Sequence, residues 1–430
     1  MLETAARRVG ATELRTLIPG TPEHRRWIDI YADAYPALDL STPAQREAKF
    51  EEQRADAAAD SHERLVGAFR SGTLVGGMRV FDFTMCVRGA QVFTGGVGSI
   101  AVGLEHKRRG IARDLVAGFL GEYRERGAAL AVLYAFRPSF YSAMGFGYGQ
   151  KIDQYRLALD VLPADGPRER VRALQLADTD AFLAAYNRAQ ARTNGLIRRE
   201  AWRAELRLRN AAYRTFGYTE RGVLRGYLTV EVRLGKIGTL NRNDLYVHEL
   251  IYETPAALHG LLSFARSQAD QFAALIVNTH DPDFHFAVLD PRNGRDRNLY
   301  PPAHHGTNAQ GLGVMYRVID VRALVNALAE CTFGDLDAIV RIDLTDPFVA
   351  PNAGACAIRF RAGRPELVDA APGADVDVAI GVADFSALVM GAVRLRSLVA
   401  YGRAVLSKPN WLRPLDAAFD ADPPHCLTRF

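Results

Sequence analysis

The chain is poor in cysteine: Cys86, Cys331, Cys356 and Cys426 are scattered over 430 residues, with no Cys-x-x-Cys spacing. No disulfide framework or thiolate zinc site is expected, and a reducing compartment is the simplest setting. No uninterrupted apolar stretch is long enough to span a bilayer. The opening MLETAARRVGATELRTL lacks the apolar centre of a signal peptide, so a cytoplasmic location is expected. Charge of one sign is also lacking. The net value is only +4, and no long basic run or aromatic-interleaved basic patch argues for nucleic acid. What remains, 48% hydrophobic and 24% charged residues, describes a soluble globular protein whose length calls for two or three domains.

The most informative stretch is residues 97–113, VGSIAVGLEHKRRGIAR. An apolar run (Val97, Ile100, Val102) breaks at Gly103, and after Lys107-Arg108-Arg109-Gly110 the spacing becomes helical at Ile111, Leu115, Val116, Phe119 and Leu120. A strand therefore leads through a basic, glycine-containing loop into a helix. The first turn of a helix offers free N–H groups and the positive end of its dipole, which suits a pyrophosphate. Gly110 lets the main chain approach a phosphate, and the arginines add charged donors. The bland alternative is a solvated basic helix start. A second signal follows the buried-strand run Ala129–Tyr134: Phe140-Tyr141-Ser142-Ala143-Met144-Gly145-Phe146-Gly147-Tyr148-Gly149.

Lys-x-x-Gly-x-Ala after an apolar strand resembles the acyl-CoA phosphate loop of the GNAT superfamily of N-acetyltransferases. Tyr-x-x-x-Gly-Phe-Gly resembles what that superfamily carries near the thiol of CoA. Residues 1–155 fit the layout, with two helices, three strands joined by Ser71-Gly72 and Arg88-Gly89 turns, a helix and a strand. Residues 156–318 repeat the plan more weakly. There the phosphate-loop position holds Glu253-Thr254-Pro255-Ala256-Ala257; proline has no N–H and Glu253 would repel phosphate, so this copy should not hold CoA. Residues 319–430, opening at the strand Met315–Asp320, resemble a sterol carrier protein in "DFSALVMG" and "LRSLVAYGRA" and end in Phe430. The expected fold is mixed α/β and α+β: tandem GNAT folds, the second degenerate, then a sterol-carrier-like domain.

Together these features resemble the Eis (enhanced intracellular survival) family of N-acetyltransferases. The resemblance implies acetyl-CoA as co-substrate, no metal, and acetylation of amines on aminoglycoside-like, polyamine or lysine-type substrates. It also implies a homohexamer built as a trimer of dimers. Carried over by motif, Ile100, Ala101 and Val102 would bind the pantetheine arm through backbone groups. Arg108, Arg109, Gly110, Ile111, Ala112 and Arg113 would hold the pyrophosphate, and Phe136 and Arg137 would contact the cofactor beyond the next strand. Tyr141 would be the general acid, and the terminal carboxylate of Phe430, its ring packed inside, the general base. Lys107 stands where the family commonly has arginine, and "FYSAMGFGYG" departs from a more usual "IYGRFGYG". The alternative from another class is an acyl-CoA or lipid-binding module without turnover. His280-Asp281-Pro282-Asp283-Phe284-His285 and His304-His305 read as loops rather than metal ligands, and the arginines of 192–209 as a solvated or subunit-contact face.

Overall fold

Thr21 accepts a hydrogen bond from the His24 N–H at 3.3 Å and Pro22 occupies the first turn, so helix α1 (Pro22–Ala34) starts where those residues place it. Helix α2 (Pro43–Ala59) follows. The computed structural model describes residues 6–59, 63–235, 243–293, 304–368 and 373–430. They form two compact units: one of Met1–Gly149, Val314–Ala421 and Thr428–Phe430, the other of Gln150–Gly313 and Asp422–Leu427.

In the first unit the strands are β1 (Arg7–Val9), β2 (Thr12–Thr16), β3 (Glu63–Arg70), β4 (Thr73–Val87), β5 (Ala90–Val102), β6 (Leu130–Tyr134) and β7 (Gly147–Tyr148). Helix α3 (Ile111–Glu125) connects β5 to β6, which run parallel, and the short α4 (Pro138–Ser142) carries Tyr141. Leu115, Val116, Phe119 and Leu120 of α3 are fully buried against Met78, Val97 and Leu133 on one face of the sheet. Trp27 and Ile28 of α1 pack with Phe50, Phe69 and Leu74 on the other. Covering both faces explains why β4 is buried almost continuously instead of alternating.

The second unit repeats the plan. It contains β8 (Ile152–Ala158), β9 (Val171–Ala173), helices α5 (Thr179–Gln190) and α6 (Ala201–Arg209), then β10 (Tyr213–Glu220), β11 (Val223–Arg233) and β12 (Asn243–Tyr252). Helix α7 (Pro255–Arg266) leads to β13 (Phe272–Thr279), parallel to β12, and β14 (Asn308–Gly311) ends the sheet, whose order is β14-β8-β13-β12-β11-β10-β9. Thr254 caps α7 by accepting from the Ala257 N–H at 3.1 Å.

Strand β15 (Val314–Val318), read in the sequence as the start of the third unit, pairs antiparallel with both β6 and β7 in the first unit. That sheet runs β1-β2-β3-β4-β5-β6-β15-β7. All five residues of β15 are buried, including Arg317, which forms a two-pronged ion pair with Asp346 at 2.8 and 2.9 Å. The rest of this unit is α8 (Val321–Ala327), β16 (Ala338–Thr345), β17 (Gly354–Arg361), β18 (Arg364–Val368), β19 (Val376–Gly381), α9 (Val382–Val389), α10 (Leu395–Ala400), β20 (Ala404–Leu406) and α11 (Leu412–Ala418). Its five strands order as β18-β17-β16-β19-β20. All four cysteines are buried.

The arginines of 192–209 are not a uniformly solvated face. Arg199 is buried and grips the fully buried Glu249 at 2.5 Å, and Arg207 reaches the same carboxylate at 2.9 Å. Burial alone would lift the Glu249 carboxyl, yet the two guanidiniums hold it below its ordinary range. The pattern of charges over 192–209 did not reveal this, because the partner lies on β12.

Candidate active site

Strands β5 and β6 pair from Thr94↔Leu130 to Val97↔Leu133, and no ladder pair joins them further along. There the ladder stops one residue before β6 ends, and the gap between these strand ends is the candidate cleft. Ser99, with φ +51°, marks an irregularity there, and pairing with β4 resumes at Gly77↔Ala101 and Gly76↔Val102. Ala101 is buried, and the Ile100 carbonyl accepts from the Tyr35 hydroxyl at 3.0 Å. Tyr35, which the sequence reading did not single out, therefore fixes this wall of the cleft. Burial pushes its phenol up to about 12.

At the end of β5 the chain passes through Lys107, Arg108, Arg109 and Gly110, all exposed. Gly110 precedes α3 with φ +82°, the left-handed region where a side chain is strained. The N–H groups of Ile111, Ala112 and Arg113 open the helix, where no preceding turn can satisfy them. Asp114, also in the first turn, accepts from Thr12 at 2.5 Å and from Arg70 at 3.1 Å. Arg70 also donates to the Arg109 carbonyl at 3.0 Å. Its guanidinium thus offsets the one acid near the helix start and braces the loop, a role without a sequence signal because Arg70 ends a distant strand.

Phe136 and Arg137 follow β6 and are exposed, Phe136 at 72%. Tyr141 is buried among Phe136, Phe140 and Phe146, ring centroids 5.2–6.2 Å away in edge-on contact. Burial first, then nearby Tyr35, raises its phenol well above the ordinary range, so it holds its proton throughout the physiological span. Phe430 does not fray: its ring meets Phe81, Phe83 and Tyr134 at 5.5, 5.0 and 5.2 Å. Tyr134 also donates to the Thr428 carbonyl at 2.9 Å. A Cβ on Gly98 would stand 2.9 Å from the Phe430 carboxyl carbon, so the end of the chain lies directly on β5 where the cleft opens. Tyr134 and Phe136, two residues apart, thus touch Phe430 and Tyr141 respectively. Among the described residues no group of three or more histidines, cysteines or acids could hold a metal.

With this geometry in view, residues 20–149 match an acetyltransferase (GNAT) domain family, 195–318 a second acetyltransferase (GNAT) domain family, and 324–427 a sterol carrier protein domain family. An uncharacterised N-acetyltransferase of Streptomyces coelicolor is 30% identical over 81% of this chain and 84% of its own length. The N-acetyltransferase Eis of Mycobacterium bovis is 25% identical over 83% of this chain and 86% of its own. The chain belongs to the Eis-like family of GNAT N-acetyltransferases. The crystal structure of Eis1 from Mycobacterium abscessus shares the fold of this Eis-like protein, with a TM-score of 0.75 at 21% identity, covering 97% of this chain and all of that one. The second GNAT domain is the divergent one: where the first has its basic loop, Glu253 is tied to Arg188 at 2.7 Å and to Arg225 at 2.9 Å.

Proposed function

We propose that this N-acetyltransferase transfers acetyl from acetyl-CoA to a primary amine of an aminoglycoside-like, polyamine or lysine-type substrate, by direct attack in a ternary complex. The observation that carries the reading is the Phe430 carboxyl group resting on Gly98 at the opening between β5 and β6. The basic loop at Lys107–Gly110 and the start of α3 take the pyrophosphate. The backbone at Ile100–Val102 takes the pantetheine arm and polarises the thioester carbonyl. Phe136 and Arg137, exposed beyond β6, contact the cofactor.

The amine nitrogen, once unprotonated, attacks the thioester carbonyl carbon and the C–S bond breaks. The nitrogen's proton passes to the Phe430 carboxylate, directly or through water, and the departing thiolate takes a proton from Tyr141. A carboxylate in water is a poor base for an ammonium titrating near ~10, so the aromatic packing of Phe430 matters: a drier setting brings the two affinities together. No metal takes part in this scheme. The Eis-like chain acts in the cytosol as a homohexamer, a trimer of dimers, and no helix among the described residues is long and apolar enough to cross a membrane.

The test is thiol release from acetyl-CoA with a panel of polyamines and aminoglycosides. Extending the chain by Gly-Ser after Phe430 converts its carboxylate to an amide and moves the charge. Turnover should fall at least about tenfold with CoA affinity kept. Full turnover in the extended protein would remove Phe430 as the base.

A further inference from the structure

The second unit has an opening of its own. Strands β12 and β13 pair in parallel as far as Val247↔Val277, and no ladder pair joins them beyond. Residues 250–252 and 277–280 then wall a cavity of about 410 Å³, within the range of small-molecule sites. The rest of its wall comes mainly from residues 192–196, the turn 281–284 and the segment Asp422–Leu427. The His425 N–H donates to the Asn194 carbonyl at 2.7 Å, and the Asn194 side chain donates to the Asp422 carbonyl at 2.8 Å. A side chain on Gly195 would strike His425 backbone at 2.7 Å, so this wall is closely packed.

An anion is a poor fit. At the start of α7, Thr254 already accepts from the Ala257 N–H, Pro255 has no N–H, and Glu253 occupies both Arg188 and Arg225. Arg192, the one cation of the lining, feels that same Glu253 carboxylate. Against it stand Asp281, Asp283 and Asp422. His280 and His425 add no charge near neutrality, since burial holds both imidazoles below their ordinary range, His280 at about 4. His280 is 4% exposed, and its Nδ1 has no hydrogen-bond partner among the described residues. Tyr252 and Phe284 contribute aromatic rings, which attract cations.

We propose that the cavity between β12 and β13 is a second ligand site that binds a small organic cation, a primary amine of diamine or polyamine size. Its ammonium groups meet Asp281, Asp283 and Asp422, and its methylene chain lies along Ile251 and Val277. The site is independent of acetyl transfer: it holds an amine whether or not the first unit acetylates it.

Calorimetric titration of the full chain with spermidine at low ionic strength tests this, comparing wild type with an Asp281→Asn, Asp283→Asn double variant. Asparagine retains the side-chain oxygen with which Asp281 accepts from the Asp283 N–H, so the turn is kept. One class of spermidine site should weaken about five- to tenfold while acetyl-CoA affinity and the melting temperature stay unchanged. A second variant, Tyr252→Lys, puts a cation in the wall and should weaken the same class. A crystal grown with spermidine should place it between residues 250–252 and 277–280. Isotherms identical in all three proteins, or equal binding of the uncharged 1,8-octanediol, would overturn the proposal. Loss of thiol release with this binding intact would instead count against the reaction proposed above.

Discussion

Tyr141 sits where three aromatic rings dry its surroundings, and the consequence is a phenol that keeps its proton and is available as a donor. A thiolate leaving in the same dry setting is also raised in basicity by desolvation, so the proton is passed as the C–S bond breaks, not given to a stronger base already formed. Replacing Tyr141 by Phe removes the proton and leaves the packing, so kcat should fall about a hundredfold or more with CoA affinity changed less than about twofold. A pre-steady-state measurement of thiol release separates this from slower product departure. A different residue-scale outcome is expected at Asp346. Its carboxylate is fully buried against Arg317 and also accepts from the Asn352 side chain and the Val349 N–H. Asp346→Ala strands a buried guanidinium, which costs about 3–5 kcal/mol, measurable as a lowered denaturation midpoint. The motif residues could be read from the chain because each lies next to a local signal: a glycine, a change of period, a tyrosine before Gly-Phe-Gly. Tyr35, Arg70 and Asp346 could not, because their meaning comes from partners far away in sequence.

At the scale of elements, the junction of β5 and α3 holds the cofactor argument. Nothing lies within 4 Å of where a Gly110 Cβ would be, so Gly110→Asp strikes no neighbour and costs only the backbone strain of φ +82°. It would place a carboxylate where a phosphate is to rest. CoA affinity should therefore drop at least about tenfold while the melting temperature moves by only a few degrees, and unchanged affinity would misplace the pyrophosphate. Helix starts were the most legible elements: Thr21 with Pro22 and Thr254 with Pro255 cap as their chemistry dictates. Asp178 stands at the N-cap of α5, yet its carboxylate pairs with Arg172 and receives the Gln175 N–H, with no side-chain bond to the helix start. The short strands β1 and β2, each only a few residues long, gave no periodicity to read. The cavity of the second unit was equally hidden, since the sequence shows His280 only in a turn around Pro282 and its partner His425 is far along the chain.

For the molecule as a whole, pH acts through the buried imidazole of His280. Burial, helped by His425, lowers its affinity for protons to a value of about 4, against an ordinary 6.5. The unfolded chain therefore takes up a proton that the folded chain refuses between those two values. The associated stability is fully present above about pH 6.5 and is lost as pH falls toward 4, amounting to about 3 kcal/mol. In His280→Asn the denaturation midpoint should fall less steeply with acid over that window, and an unaltered slope would show that other groups govern it.

Strand β15 lies between β6 and β7, although Gln150–Gly313, nearly all of the second unit, precedes it in the chain. During synthesis the first sheet therefore waits, with an edge of β6 bare, until residue 318 has left the ribosome. Contacts that arrive so late make folding slow and leave a sticky margin open to strangers. An excised N-terminal piece would keep that margin for good, so the first unit is not separable by cutting the chain after Gly149.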